Sequence, residues 1–322
     1  MKVLVTGAGG FLGEHVVSAL VAAGHEVRAL ARSRPAAAGT KRWGSVELVQ
    51  ADLLTSTDLR QLCRGVDVIV HLAAAMSGSR QHMVETAVRG TLRLIDALDG
   101  PQARLVLASS FSVYDWDRVG SALDENSPLL TASKASLLGD YALAKLMQES
   151  AAREACAQQA KALTVLRPAM VWDAHHQGLD CAGPRAGHRR CIVAPGRRLH
   201  LTYVENCASA FVAALDERAR GATYNVEDGM DLEANQFVSR VAPDEVRFAI
   251  PRWALAAVQL AGAPFTLAAR MGLRVPGLLI PARSRARFSG ARIKPSRLQT
   301  DLGWQPPFTF DQALTGAATH PA

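Results

Sequence analysis

The amino-acid sequence predicts an α/β fold, with a doubly wound parallel sheet in its first part and a smaller, mostly helical C-terminal lobe. Short apolar runs rich in β-branched residues alternate with longer helical patterns as far as Arg167 and Pro168. Apolar strands separated by helices of this length indicate a parallel sheet covered by helices on both faces, which is the Rossmann architecture. The alternation stops after Pro168, and the chain after Met230 shows mostly helical patterns.

Each element of the first part follows from its hydrophobic pattern. The predicted strands are Lys2–Thr6, Glu26–Ala31, Val46–Gln50, Val66–Leu72, Arg104–Ser109 and Leu163–Arg167. The predicted helices between them are Phe11–Ala23, Arg80–Leu98 and Ala135–Ala160. A later group is expected to return to the main sheet, and it comprises the strand Leu199–Tyr203, the helix Cys207–Leu215 and the strand Thr223–Val226.

The composition is that of a folded, enzyme-sized protein. The 322 residues are 49% hydrophobic and 20% charged, which excludes intrinsic disorder. The net charge of +7 suits anionic ligands, but the basic residues form no tail, so we expect no nucleic-acid partner. The five cysteines are an odd and widely spaced set in a long chain, which indicates reduced thiols and a cytoplasmic location.

We expect no secretory signal and no integral membrane span. Lys2 leads directly into an apolar strand, which is not the pattern of a signal peptide. The uncharged stretch Trp253–Ala269 has 17 residues, at the short limit of a span, and contains Gly262 and Pro264. A buried helix or a lid over the substrate is the expectation there. The expected partner is a small-molecule substrate, and a homodimer is left open.

A glycine-rich turn follows the first strand and opens the first helix. In this setting Gly7 allows a tight turn, Gly10 lets the backbone approach a pyrophosphate, and Gly13 permits close packing of helix on sheet. The phosphates would bind free amides at the helix start, around Phe11 and Leu12. The turn therefore predicts a dinucleotide cofactor. The dinucleotide-binding domain is then expected to comprise residues 1–168 and 201–226, and a substrate lobe residues 169–200 and 227–322.

The end of the second strand favours NADP(H) over NAD(H). An acid at this point would bind the ribose hydroxyls of NAD, but the sequence has Arg32 and Arg34 there and no acid. The planar guanidinium of arginine can pair with a 2′-phosphate, although such residues can also be solvated loop positions. After the third strand, Asp52 could accept a hydrogen bond from the adenine, beside Leu53, or could be a helix N-terminal acid.

Three side chains are candidates for catalysis. Tyr141 and Lys145 lie one turn apart on one face of a predicted helix, where the ammonium would favour the phenolate and let the hydroxyl act as acid or base. Ser110 follows the fifth strand, at the carboxyl edge where sheets of this type bind ligands. Its hydroxyl could hydrogen-bond a substrate oxygen, or it could cap a turn.

These motifs together resemble the extended short-chain dehydrogenase/reductase superfamily, including its NAD-dependent epimerases and dehydratases. The resemblance implies that Ser110 is the catalytic serine, that Tyr141 is the acid/base, and that Lys145 binds the nicotinamide ribose and lowers the tyrosine pKa. It also implies cofactor contacts at Asp52, Leu53, Ala73 and Pro168. The matching segments are Thr6–Gly13, His71–Ala74, Ser109–Tyr114, Tyr141–Lys145, Leu166–Pro168 and Leu302–Pro306, which appear in the family's order.

Two subgroups of this superfamily are possible matches. The nucleotide-sugar epimerases and dehydratases usually have an asparagine where this chain has Met170, and a glycine where it has Asp115. The hydroxysteroid-dehydrogenase-like and dihydroflavonol-reductase-like ketone reductases have segments similar to Tyr203–Ala208 and Ile250–Trp253. The resemblance therefore implies reduction of a ketone to a secondary alcohol, or the reverse, on a largely apolar molecule. An epimerase or dehydratase with tightly bound NAD is the alternative.

Two stretches rich in basic residues suggest an anionic group on the substrate. No acid interrupts either stretch, and their side chains could equally form a solvated surface. The first holds Arg185, Arg189, Arg190, Arg197 and Arg198, and the second Arg283, Arg285, Arg287, Arg292, Lys294 and Arg297. We predict no metal site, because the spacing of His175, His176, Cys181, His188 and Cys191 includes no Cys-x-x-Cys pair.

Overall fold

A seven-stranded parallel sheet forms the centre of the computed structural model. The structure describes residues 1–33, 43–44, 46–100, 102–173, 178–187, 189–271, 273, 275–294 and 296–316. The sheet order is β12-β7-β5-β4-β1-β2-β3, and every neighbouring pair runs parallel. The strands are β1 (Lys2–Thr6), β2 (Glu26–Ala31), β3 (Glu47–Gln50), β4 (Val68–His71), β5 (Arg104–Ala108), β7 (Ala162–Pro168) and β12 (Thr223–Val226). This arrangement confirms the predicted fold class.

Helices cover both faces of the sheet, as a parallel sheet requires. On one face α1 packs against α6, and on the other α3 packs against α5. The helices of this part are α1 (Phe11–Ala22), α2 (Leu59–Cys63), α3 (Arg80–Ala97), α4 (Ala132–Leu138), α5 (Asp140–Gln158) and α6 (Val204–Ala213). The predicted single helix over Ala135–Ala160 is wrong, because Gly139, at φ 147°, separates α4 from α5.

Only part of residues 201–226 returns to the main sheet. β12 joins it beside β7, whereas β11 (Leu201–Tyr203) pairs with β8 (Met170–Trp172) in a separate two-stranded sheet. The expectation that the strand near Leu199 enters the main sheet is therefore wrong. A three-stranded sheet is formed by β9 (Arg185–Ala186), β10 (Arg189–Val193) and β13 (Val246–Ile250).

The C-terminal part is mainly helical but also contributes to sheets. Its helices are α7 (Ala234–Val241), α8 (Arg252–Leu260), α9 (Ala263–Arg270), α10 (Pro281–Phe288), α11 (Arg297–Leu302) and α12 (Phe310–Leu314). Its strand β14 (Arg292–Ile293) pairs in parallel with β6 (Ala122–Leu123). The stretch Trp253–Ala269 contains nearly all of α8 and of α9, and no helix in the described ranges has the length and apolarity to cross a bilayer.

A buried carboxylate ties this C-terminal part to the loop after β6. Glu125 is 9% exposed and accepts hydrogen bonds from the backbone N–H of Asn225 at 3.0 Å and of Arg297 at 3.0 Å. The hydroxyl of Ser296 donates to the same carboxylate over 3.2 Å. One side chain therefore joins the loop before α4, the strand β12 and the start of α11.

Candidate active site

One cleft of about 1460 Å³ lies along the carboxyl edge of the sheet and extends to the C-terminal part. Every described residue that the sequence predicts for catalysis or cofactor binding lines this cleft. These residues are Gly7, Gly10, Phe11, Leu12, Gly13, Arg32, Asp52, Leu53, Ala73, Ser110, Tyr141, Lys145 and Pro168. Arg34 lies outside the described residues.

The glycine turn at one end of the cleft has no room for side chains. Gly7 has φ 73°, and a Cβ added there would lie 2.8 Å from the backbone of Ala73. A Cβ at Gly13 would lie 2.1 Å from the carbonyl oxygen of Gly7. Gly10 is the N-cap residue of α1 and has no side chain that could accept a hydrogen bond. The first backbone N–H groups of the helix, which face the cleft, therefore receive no side-chain acceptor from the N-cap. This backbone cradle fits the pyrophosphate of a dinucleotide.

The neighbouring strand ends place a cation and a carboxylate on the same wall of the cleft. Arg32 follows β2 and is exposed, whereas Arg28 within the strand is paired with Glu47 at 2.8 Å. Asp52 follows β3, and its Oδ1 accepts the N–H of Leu54 at 2.7 Å. That hydrogen bond caps a turn, because the next helix begins only at Leu59, so Asp52 is not the helix N-terminal acid that the sequence left open. Asp52 lines the cleft.

The candidate catalytic side chains meet in the middle of the cleft. The side chain of Ser110 lies near the hydroxyl of Tyr141 and lowers the pKa of that hydroxyl. The Ser110 hydroxyl also accepts the N–H of Ser112 at 3.1 Å, so it caps the short 3-10 helix Phe111–Val113. Lys145 lies one turn after Tyr141 on α5, and its Nζ donates to the carbonyl oxygen of Ala108 at 2.7 Å.

Burial changes the acidity of both groups on α5. It lowers the pKa of the Lys145 ammonium to about 8, against the opposing influence of Glu149. Burial also raises the pKa of Tyr141, and the lowering influence of the nearby Ser110 side chain offsets only part of this effect. The resemblance implies that Lys145 lowers the tyrosine pKa, but in this structure desolvation outweighs every lowering influence on Tyr141.

A buried ionic network beneath Lys145 was missed from the sequence. Glu149, 1% exposed, accepts hydrogen bonds from Arg167 at 2.5 Å and from the hydroxyl of Ser109 at 2.5 Å. Burial raises the pKa of Glu149, but Arg167 outweighs it and the net direction is downward. Arg167 also donates to the hydroxyl of Tyr114 at 2.9 Å. The sequence feature that could have indicated this network is the carboxylate of Glu149, which lies one helical turn after Lys145 on the same helix face.

The substrate end of the cleft is largely apolar and aromatic. The ring of His200 stacks on Trp116 with centroids 5.8 Å apart. The lid expected over Trp253–Ala269 is not part of this wall, because none of its residues lines the cleft. The segment before α10 and α10 itself take that place. The apolar lining at this end includes Phe111, Trp116, Leu199, Leu278 and Phe288.

Most of the basic residues in the two stretches are paired with acids from elsewhere in the chain. The ion pairs are Arg185 and Arg190 with Glu245, Arg198 with Asp231, Arg285 with Asp117, Arg287 with Asp180, Lys294 with Asp124 and Arg297 with Asp301. Three members of the stretches, Arg197, Arg283 and Arg287, line the cleft. Three of the residues weighed as metal ligands, His175, His176 and His188, lie outside the described residues. Within the described part of the chain, no three metal-binding side chains form a cluster.

Residues 3–226 match the NAD dependent epimerase/dehydratase family. A 3-beta-hydroxysteroid dehydrogenase of Mycolicibacterium neoaurum is 27% identical over 97% of this chain and 89% of its own length. A 2-alkyl-3-oxoalkanoate reductase of Shewanella oneidensis is 29% identical over 65% of this chain and 56% of its own length. The structure of UDP-glucuronic acid 4-epimerase from Bacillus cereus with NAD has a TM-score of 0.69 at 20% identity, covering 98% of this chain and 94% of that one.

The similarity to the Bacillus cereus epimerase concerns the fold alone. The family match, by contrast, covers the glycine turn, the loop that contains Ser110, and the helix that contains Tyr141 and Lys145. The family match confirms the resemblance seen in the sequence motifs. The chain belongs to the NAD dependent epimerase/dehydratase family and is an enzyme of the extended short-chain dehydrogenase/reductase type.

Proposed function

We propose that this enzyme reduces a ketone to a secondary alcohol, or catalyses the reverse oxidation, on a largely apolar small molecule. The observation that carries the proposal is the placement of Ser110 and Tyr141 together in one cleft, between the glycine turn and an aromatic wall. Two of the similar proteins are named for chemistry at a carbonyl or hydroxyl carbon, which supports a reaction of this class.

In the proposed reaction the bound nicotinamide cofactor supplies or accepts the hydride. Ser110 donates a hydrogen bond to the substrate oxygen and polarises the carbonyl group. Tyr141 donates its hydroxyl proton to the same oxygen as negative charge develops there. Because burial raises the pKa of Tyr141, the hydroxyl stays protonated at neutral pH and is ready to act as the acid. The charged Lys145 stabilises the phenolate that the proton transfer leaves.

We propose NADP(H) as the preferred cofactor. Arg32 lines the cleft directly after β2, at the strand end where a ribose 2′ substituent is recognised in this architecture. No acid takes that place between Ala31 and Ser33. An exposed guanidinium can pair with the 2′-phosphate through charge-assisted hydrogen bonds.

A nucleotide-sugar epimerase or dehydratase is the second candidate, because the family takes its name from those reactions. The departures from the nucleotide-sugar pattern weigh against it. Met170, where the sugar enzymes usually have an asparagine, is 42% exposed and lines the cleft. Asp115, where they commonly have a glycine, is buried and paired with Lys134 at 2.8 Å.

The test compares Tyr141→Phe with Tyr224→Phe in NADPH oxidation with a panel of apolar ketones. Tyr224 is buried in β12, and its hydroxyl has no hydrogen-bond partner in the described structure, so its loss controls for a buried tyrosine-to-phenylalanine change. We expect Tyr141→Phe to lower kcat by about 100- to 10,000-fold, the usual contribution of a general acid, with little change in the Kd for NADPH. Tyr224→Phe should retain nearly full turnover.

Two results would overturn the assignment. Undiminished turnover of Tyr141→Phe would remove the tyrosine from the reaction. A purified enzyme that retains NAD and converts a nucleotide sugar without net oxidation or reduction would establish the second candidate instead.

A further inference from the structure

Arg197 is a buried cation without a counter-charge at the substrate end of the cleft. It lies between β10 and β11, is 3% exposed and lines the cleft. Its Nη2 donates to the carbonyl oxygen of Cys181 at 2.7 Å, while its Nε has no hydrogen-bond partner. Among the described residues no carboxylate lies within ion-pairing distance of this guanidinium. The next residue, Arg198, is by contrast paired with Asp231 at 3.0 Å.

Other cations surround Arg197. Burial, together with the nearby Arg252 and Arg287, lowers its pKa to about 10, so it is still charged at neutral pH. Arg287 lines the same cleft and donates to the carbonyl oxygen of Asp180 at 2.9 Å. The Asp180 carboxylate is 3.7 Å from Arg287, but its side chain is 74% exposed and is shared with Arg190. The local charge is therefore strongly positive.

Such an arrangement is costly unless an anion joins it. A buried charge without a partner lacks both hydration and Coulomb stabilisation, and an unsatisfied buried N–H adds to the cost. His200, close by along the chain, also has a buried Nε2 without a hydrogen-bond partner. Burial and the charge of Arg197 lower the pKa of His200 to about 4, so its neutral ring adds no further charge. An anion in this part of the cleft would accept a hydrogen bond from the orphaned Nε of Arg197, and a ring of His200 that carries its proton on Nε2 would be a second donor.

The walls beside this cation are apolar. The guanidinium carbon of Arg197 lies 5.4 Å from the centre of the Phe288 ring. Leu199 and Leu278 line the cleft in the same region, and Trp116 stacks on His200. A ligand that fits here has an apolar body and a single anionic end.

We propose that Arg197, assisted by Arg287, binds the anionic head group of the apolar molecule on which the enzyme acts. The head group is a carboxylate or a phosphate monoester, since both present oxygens that a guanidinium can bind. This proposal deepens the proposed function by naming the substrate class, and it rests on that function for the statement that the bound molecule is the substrate. The anion site itself can be tested without any turnover.

The test is calorimetric binding of octanoate, octyl phosphate and octanamide to the full-length enzyme saturated with NADP⁺. The three probes share an apolar chain and differ in the charge of their head groups. We expect the wild type to bind at least one of the two anions about tenfold or more tightly than the neutral amide. The stronger of the two anions identifies the head group.

Variants locate the charge that is responsible. Arg197→Gln should abolish the preference for the anion and leave octanamide binding unchanged, whereas Arg197→Lys should retain part of the preference. Arg198→Gln, which removes the adjacent exposed arginine, is the matched control and should behave as the wild type. Equal binding of all three probes by the wild type would overturn the proposal, and so would a preference that survives in a folded Arg197→Gln. The wild-type comparison decides the matter even where Arg197→Gln does not fold.

A parallel assay separates this proposal from the proposed function. The enzyme is supplied with 3-oxooctanoate and with the neutral 2-heptanone in NADPH oxidation. Selective anion binding without reduction of either ketone would contradict the proposed reaction and support the anion site. Reduction of both ketones with equal kcat/KM, with no anion preference in calorimetry, would support the reaction and overturn the anion site.

Discussion

The ammonium of Lys145 on α5 donates to the carbonyl oxygen of Ala108, the last residue of β5, over 2.7 Å. The same ammonium donates to the side-chain oxygen of Gln148 at 3.1 Å. The lysine is thus held between a helix and the end of a strand, and a single residue, Ser109, separates that strand end from Ser110. This connection fixes the positive charge relative to the candidate acid, because Tyr141 lies one turn before Lys145 on the same helix.

The pH dependence of catalysis should report the proton on Lys145. Burial lowers its pKa to about 8, so the ammonium is present below that pH and is lost above it. Because the pKa of Tyr141 is raised, the tyrosine stays protonated over the same range. The parameter to measure is kcat/KM for NADPH, because it reports the ionisation of groups in the free enzyme. We expect kcat/KM to fall above about pH 8, and well above that pH the fall should be about tenfold per pH unit.

The matched variant is Lys145→Arg, whose guanidinium stays charged throughout this range. Its activity should be lower, because the guanidinium has a different shape, but the fall near pH 8 should be absent. A wild-type profile that stays flat to pH 10 would contradict this assignment.

The choice of cofactor should depend on Arg32. If its guanidinium pairs with the 2′-phosphate, the contact contributes about 1.5–3 kcal/mol, which corresponds to roughly a 10- to 150-fold difference in Kd. We expect Arg32→Ala to weaken NADPH binding by this factor and to leave NADH binding unchanged, as measured by fluorescence titration. Arg60→Ala, an exposed arginine on α2 that does not line the cleft, is the control. Equal affinity of the wild type for NADPH and NADH would show that Arg32 makes no such contact.

The stability of the site should depend on Glu149. Replacing it by glutamine leaves Arg167, which is 3% exposed, without its main counter-charge. Breaking a buried ion pair in this way costs about 3–5 kcal/mol, so Glu149→Gln should lower the free energy of unfolding in urea by about that amount. Glu154→Gln changes an exposed carboxylate on the same helix and should have an effect below about 0.5 kcal/mol. Equal stability of the two variants would mean that the network contributes little.

The sequence predicted the structure best where the surroundings of a residue are determined by the strand, helix or turn to which that residue belongs. The predicted bounds of β1, β2 and β12 agree with the structure. For β1 the reason is that a central parallel strand is apolar on both faces and ends at a turn. The glycine turn could also be predicted, since its demands are local. The break at Gly139 could not, because a single glycine within a helical pattern does not by itself end a helix.

Long-range pairing accounts for most of what the sequence did not reveal. The basic stretch around Arg285 has no acid within it, yet Asp117 is its partner from far away in the chain. Likewise, the position of Arg197 without a counter-charge depends on which elements surround it. The division into two lobes, the homodimer and the cytoplasmic location remain predictions, as do the individual roles of the site residues.

The carboxylate of Glu125 also has a consequence for how the protein matures during synthesis. Two of its donors, Ser296 and the N–H of Arg297, follow Glu125 by about half the length of the chain. The loop before α4 therefore cannot reach its final form until residues near the carboxyl terminus have left the ribosome. The glycine turn and the strands β1, β2 and β4 around it precede Glu125 in the chain, so their pairing does not wait for these donors.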